Sequence, residues 1–391
     1  MLKPLPEVPM RYALSAIMVV LSVFTLNVSP ARAHDPRPDE PRARIQIALL
    51  LDTSNSMDGL ITQAKTQLWR IVNQFAHTRH SGKLPKIEVA LYQYGNDSLV
   101  VTEGFVQQVV PFTDDLDLIS EKLFALRTNG GEEYCGEVIS KATKQLEWSN
   151  DEITYKAIFI CGNEPFTQGQ NDYREACAKA LSRDIFVNTI HCGKSEQGIE
   201  GRWADGARIG GGRAMNIDQD HVRPTIRCPQ DDEILKLNTS LNETYIPYGA
   251  RGKAAAANQV AQDQNAEKNA AVGSDVARAA AKASGAYQNA GWDLVDALVN
   301  NQVKLEDIAD KDLPEAMQTM NPQQRQDYVD QQRAKRSEIQ KQILELNKTR
   351  DKYVAEEEKK QNAGNKEDTL DTAMLKAIRE QVKEKGFETE E

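Results

Sequence analysis

Three residues raise the chemical question: Asp52, Ser54 and Ser56, in the stretch "IALLLDTSNSMDGLI" at 47–61. They form the pattern D-x-S-x-S directly behind an apolar run. On a turn leaving a strand, alternate residues point the same way, so one carboxylate and two hydroxyls converge. That is a hard-oxygen ligand set, suited to Mg²⁺, Mn²⁺ or Ca²⁺ and not to zinc or copper. Asp and Ser also open helices, and Ser54 or Ser56 would serve equally as a cap. Other chemistry-bearing residues form weaker patterns. His77, His80 and His221 show no ligand spacing, and His191 lies in an apolar strand, where a core histidine is the plain reading. Cys135, Cys161, Cys177, Cys192 and Cys228 form no CxxC pair, against a thiolate zinc site. Most read as small buried apolar residues, and the odd number leaves at least one unpaired within the chain. Cys135 has no obvious base near it in sequence. Gly210–Gly212 lacks the Lys-Ser/Thr of a phosphate loop.

The elements that must position Asp52 are legible in the patterning. Residues 45–51 form a continuous apolar run, as in a strand buried on both faces of a parallel sheet. The segment 59–78 carries Leu60, Ile61, Ala64, Leu68, Ile71, Val72 and Phe75 at helical spacing. Further strands are expected at 86–92, 105–112 (near an edge), 155–161, 184–192 and 211–217. Helices are expected at 114–126, 132–148, 173–183 and 231–245. Such alternation implies an α/β fold with a doubly wound, mostly parallel sheet, covered on both faces. In such sheets ligands bind outside the carboxyl ends of the strands, where Asp52 lies.

Beyond about residue 250 the composition changes. Residues 251–291 are Ala-, Gln- and Asn-rich and read as a weakly amphipathic helix or linker. Residues 292–320 suggest short helices. Residues 321–391 predict a long helix started by Asn321 and Pro322, then a terminal amphipathic helix at 368–385. Ile339, Ile343, Leu346 and Tyr353 trace a brief heptad seam, so this partly coiled-coil region reads as a solvated appendage or as a partner-binding or self-associating arm.

The net charge of the 391-residue chain is -10, against a nucleic-acid partner. Residues 1–33 have the form of a cleaved signal peptide: Lys3 and Arg11, an apolar run at 12–28, then "ARA" at 31–33. Export to the periplasm or beyond is therefore expected, with a disordered leader at 34–42 and no stable membrane span afterwards.

Residues 43–250 resemble a von Willebrand factor type A (vWA) domain, and D-x-S-x-S resembles the first segment of its metal-ion-dependent adhesion site. The resemblance implies a divalent cation, Mg²⁺ foremost, with Mn²⁺ or Ca²⁺ as alternatives. In that family a Thr from a second loop and an Asp from a third complete the site. Here the second loop reads "TNGGEEYCGEVI", 128–139, and anchoring on Gly130, Gly131 and Gly136 puts Glu132 at the Thr position. In the third loop Gly162 stands where the Asp would be. The implied metal ligands are Asp52, Ser54, Ser56 and Glu132, with Asn163 or Glu164 contributing through water. A carboxylate is lost at 162 and one is gained at 132, which keeps the acidic tally.

The reading is an exported, non-enzymatic protein–protein interaction or adhesion-type module with an unnamed protein partner. Alternatives are a scaffold with a metal-free type A domain acting through its helical arm, and a metal-dependent hydrolase. The hydrolase needs a positioned base and an enclosed pocket, and the sequence supplies neither.

Overall fold

A computed structural model describes residues 42–391 apart from 221–224, 362–369 and 390–391. The proposed signal segment, nearly all of the leader and His221 lie outside the described residues. Residues 42–391 form one compact unit.

The first half alternates as the patterning predicts. In order come β1 (Arg44–Asp52), α1 (Asp58–Ala76), β2 (Thr78–His80), β3 (Lys86–Tyr94), β4 (Val106–Thr113), α2 (Leu116–Ala125) and α3 (Cys135–Gln145). They are followed by β5 (Tyr155–Gly162), α4 (Tyr173–Leu181), β6 (Phe186–Cys192), α5 (Ser195–Glu200), α6 (Trp203–Ile209) and β7 (Gly211–Ile217). The main sheet runs β4-β3-β1-β5-β6-β7. Every pairing in it is parallel except β3 with β4. The fold is thus the doubly wound, mostly parallel sheet that the alternation implied. β1 sits centrally and is buried on both faces, and its side chains divide by period two. Ile45, Ile47, Leu49 and Leu51 join one core, with residues of α1 and α2. Ala48 and Leu50 join the other, with residues of α3, α4 and α6.

The second half is helical: α7 (Asp231–Asn242), α8 (Gly249–Glu267), α9 (Ser274–Ala283), α10 (Leu294–Val299), α11 (Glu315–Gln318), α12 (Pro322–Gln361) and α13 (Leu370–Glu384), closed by the short strand β8 (Phe387–Thr389). The Ala-rich stretch is two helices, separated near Gly273, whose φ of 75° suits glycine. α12 starts with a reciprocal cap: Gln324 N donates to Asn321 Oδ1 and Asn321 N to Gln324 Oε1, both 2.9 Å.

Three features weld these helices to the first half and to one another. First, α13 lays Leu370, Ala373, Met374, Ala377, Ile378 and Val382 into the core of α1 and α2. Its Gln381 accepts from Tyr155 Oη at 2.7 Å and exchanges hydrogen bonds with Asn188, and β8 pairs with β2. Second, Arg278 on α9 is buried over the Trp69 ring, 4.5 Å from its centroid. It donates to Asp117 Oδ1 at 2.7 Å and pairs with Asp263, which also takes Lys282 at 2.9 Å. Third, Arg336 on α12 reaches Asp293 at 2.6 Å and Asp296 at 2.8 Å. Of the heptad positions, Ile339 and Ile343 pack against Ile234, Leu241, Val276 and Ala279 of this same chain, with Leu346 beside them. Tyr353 is 37% exposed.

Candidate functional site

The loops that leave β1, β3, β5, β6 and β7, with the one before α3, meet at the carboxyl edge of the sheet. Backbone bonds lock together the loops after β1 and β3 and the one before α3. Thr53 N donates to Tyr94 O at 2.9 Å, Asn129 N to Thr53 O at 3.0 Å and Asp97 N to Gly130 O at 2.9 Å. Asn96 Nδ2 bridges Thr53 O and Arg127 O. The site residues therefore sit on short, braced turns.

Asp52, Ser54 and Ser56 do converge. Ser54 N donates to Asp52 Oδ1 at 2.7 Å, and the Ser54 and Ser56 hydroxyls lie 3.2 Å apart. Asn163 Nδ2 donates to Ser56 Oγ at 3.1 Å, so Asn163 reaches the site directly. Asp52 is 0% exposed, and its Oδ2 has no hydrogen-bond partner among the described residues. Neither serine caps a helix through its side chain; Ser54 precedes the short helical turn at Asn55–Met57 without a side-chain bond to it.

The second loop places its two glutamates differently. Glu132 is exposed, whereas Glu133 is 7% exposed and faces Asp52 across Gly95. A Cβ at Gly95 would lie 2.8 Å from Glu133 Cγ and 2.9 Å from Asp52 Oδ1. Exposure alternates before α3: Glu132 is exposed and Tyr134 partly so, while Glu133 and Cys135 are buried. Counting forward from the glycines selects Glu132. The burial of Cys135, two residues after Glu133, was the signal available for Glu133.

The third loop lacks room for an acid. A Cβ at Gly162 would meet Tyr94 Oη at 2.6 Å and Asp52 Oδ2 at 3.1 Å. Tyr94 Oη donates to Cys161 O at 3.0 Å and so fills that space. Tyr94 is in register with Asp52 on the neighbouring strand, and the sequence pattern had ended that strand two residues too early to include it. Glu164 lies half-buried on the same loop, its backbone oxygen held by Trp203 Nε1 at 2.9 Å.

The electrostatics follow from burying acids together. Burial pushes the Asp52 carboxyl up to about 8, with Glu133 and Glu164 adding to the rise against the Ser54 hydrogen bond. Burial, then Glu164, pushes Glu133 up to about 7. Desolvated carboxylates with an orphaned oxygen, beside two hydroxyls, suit a hard divalent cation. Among the described residues no three His, Cys, Asp or Glu side chains gather to hold a metal, so hydroxyls must complete any donor set. The other candidates have structural places. His191 Nδ1 and Asn216 Oδ1 are 2.8 Å apart in the interior, and all five cysteines are buried and unpaired.

Residues 46–198 match the family profile of the von Willebrand factor type A domain. This part of the chain is a vWA domain. Domains of this family commonly mediate protein–protein interaction. None of the curated proteins matches the chain. Among solved structures, the vWA region is similar to BatB from Bacteroides thetaiotaomicron, at 19% identity over 44% of this chain and 90% of that one, with a TM-score of 0.35. It is also similar to the SpRpn10 VWA domain, at 15% identity over 44% and 88%, TM-score 0.34. A third is proximal thread matrix protein 1 of the mussel byssus, solved with zinc in its MIDAS motif, at 13% identity over 45% and 42%, TM-score 0.34. No described helix is long and apolar enough to cross a membrane.

Proposed function

We propose that the chain is an exported, non-enzymatic interaction protein whose vWA edge is braced by a divalent cation and presented to a protein partner. The observation that carries the reading is Asp52 Oδ2: a buried carboxylate oxygen without a partner, beside the Ser54 and Ser56 hydroxyls. Left unmatched, such a group costs stability, and a cation offsets that cost. The donor set is Asp52, Ser54 and Ser56, with Glu133 taking the place that sequence spacing gave to Glu132. Oxygen-only donors favour Mg²⁺, with Mn²⁺ and Ca²⁺ as alternatives. The cation's contribution is to draw the three loops to one point; the partner is held by the rim around it.

The test is calorimetric titration of Mg²⁺, Mn²⁺ and Ca²⁺ into the chain and three variants. Asp52→Asn is expected to abolish the heat, and Glu133→Gln to weaken affinity by about 100-fold. Glu132→Gln is expected to change it little. Absence of heat in the unaltered chain would sink the cation reading and leave the metal-free scaffold. Loss in Glu132→Gln but not in Glu133→Gln would restore the spacing-based assignment.

A further inference from the structure

We infer that Lys282 and Asn242 become joined by an intramolecular isopeptide bond, formed by attack of the Lys282 amine on the Asn242 carboxamide with Asp263 carrying the protons. This stands independently of the cation reading. The three residues sit on three helices: Asn242 closes α7, Asp263 lies on α8 and Lys282 on α9. Lys282 Nζ donates to Asn242 Oδ1, so the amine lies against the carboxamide. Asp263 Oδ2 accepts from Lys282 Nζ at 2.9 Å and from Asn242 Nδ2 at 2.7 Å. Nucleophile, carbonyl and leaving nitrogen thus meet at one carboxylate. Asn238 Nδ2 also donates to Asp263, at 3.3 Å, but its Oδ1 has no partner among the described residues; Asn242 is the amide that presents its carbonyl to the amine.

The surroundings favour reaction. Lys282 is 0% exposed. Burial pushes its amine down to about 8 against the opposing pull of Asp263, so part of it is neutral and nucleophilic near neutral pH. Arg278 also pairs with Asp263 and remains as its cation when Lys282 gives up its charge. Ile234, Leu241, Val276, Ala279 and Ala283 hold α7 and α9 against each other, so the groups are placed before reaction begins. In the step, Asp263 takes a proton from Nζ, and the freed electron pair forms the bond from Nζ to Asn242 Cγ. Collapse then breaks the bond from Cγ to Nδ2. Two protons in all pass from Nζ to Nδ2 through Asp263. An ammonium and a carboxamide become a secondary amide and free ammonium, with no oxidant or other reactant. The bond closes residues 242–282 into a covalent loop. With all five cysteines unpaired, it gives the helical half a brace that no reductant opens.

The experiment is mass spectrometry of tryptic digests of the purified full chain. The unaltered chain is expected to give one branched peptide joining residues 237–251 to 279–304, lighter than the two together by one ammonia. Fragmentation is expected to place the branch on Asn242 and Lys282. Lys282→Arg keeps a cation beside Asp263 but supplies no amine, and Asn242→Ser supplies no leaving amide. Both are expected to lose the branched peptide completely, with circular dichroism confirming that each is folded. Asp263→Asn is expected to lose it as well. The unaltered chain decides the matter even where a variant does not fold: separate, unbranched peptides from it would overturn the inference. So would a branch on Asn238, or an ammonia loss that survives Lys282→Arg. Undiminished branching in Asp263→Asn would overturn the proton route through Asp263.

Discussion

At the scale of single residues, Asp52, Ser54 and Ser56 converge beside Tyr94, which lies in register with Asp52. Tyr94 Oη fills the space where a side chain at 162 would go. Gly162→Asp is therefore expected to destabilise the fold by about 1–3 kcal/mol, the usual cost of overpacking. Adding Tyr94→Phe is expected to recover part of that loss, and urea unfolding of the four-way cycle measures the coupling. Asp52→Asn tests the other side of the same chemistry. Without added cation, and above the Asp52 value of about 8, it removes a buried, unmatched charge, so its melting temperature there is expected to lie a few degrees above that of the unaltered chain, about 2–4 °C per kcal/mol relieved. With Mg²⁺ the order is expected to reverse, because only the unaltered chain gains by binding. The triplet was legible in the sequence because contiguous residues fix its geometry. Glu133 and Tyr94 were harder. Choosing Glu133 over its neighbour needs the course of the turn before α3, and Tyr94 needs the register between two strands about forty residues apart.

At the scale of elements, the strands were read well because burial on both faces leaves continuous apolar runs. The long and terminal helices, α12 and α13, were legible too, but what holds the helical half together was not, because much of it is polar and distant in sequence. Alanines in α9 gave a weak helical pattern, yet Arg278 and Lys282 on that helix are buried among Asp117, Asp263 and Trp69. Arg278→Met leaves two buried carboxylates short of a partner and is expected to cost about 3–5 kcal/mol by denaturant unfolding. The network also sets an acid limit. Burial tends to raise Asp263, but Lys282 and Arg278 outweigh it and hold the carboxyl down to about 2. An acid lowered by folding stabilises the native state fully above its unfolded value of about 4. That contribution is expected to drain away between about pH 4 and pH 2. Asp263→Asn is expected to flatten the stability profile across that window.

At the scale of the whole molecule, the helical region is not free to act as an open coiled-coil arm over its first turns. Ile339 and Ile343 spend the seam on α7 and α9 of the same chain. Sedimentation at micromolar concentration is therefore expected to give a single-chain mass; a stable dimer would mean that the exposed end of α12, around Tyr353, associates by itself. The same compactness explains why the amphipathic stripe of α13 could be seen in the sequence while its destination could not. Periodicity shows that a face must be buried, but not against which element.

That destination bears on when the protein can fold. β7 ends at Ile217 and α13 begins at Leu370. A ribosome adding about 5–20 residues per second needs roughly 8–30 seconds to make the stretch between them. Throughout that interval the strands exist but the helix that covers Tyr155, Phe159 and Ile190 does not. The nascent chain is thus held short of its native state until α13 emerges. Under the export proposed above, that delay would keep the chain threadable for as long as it is being made.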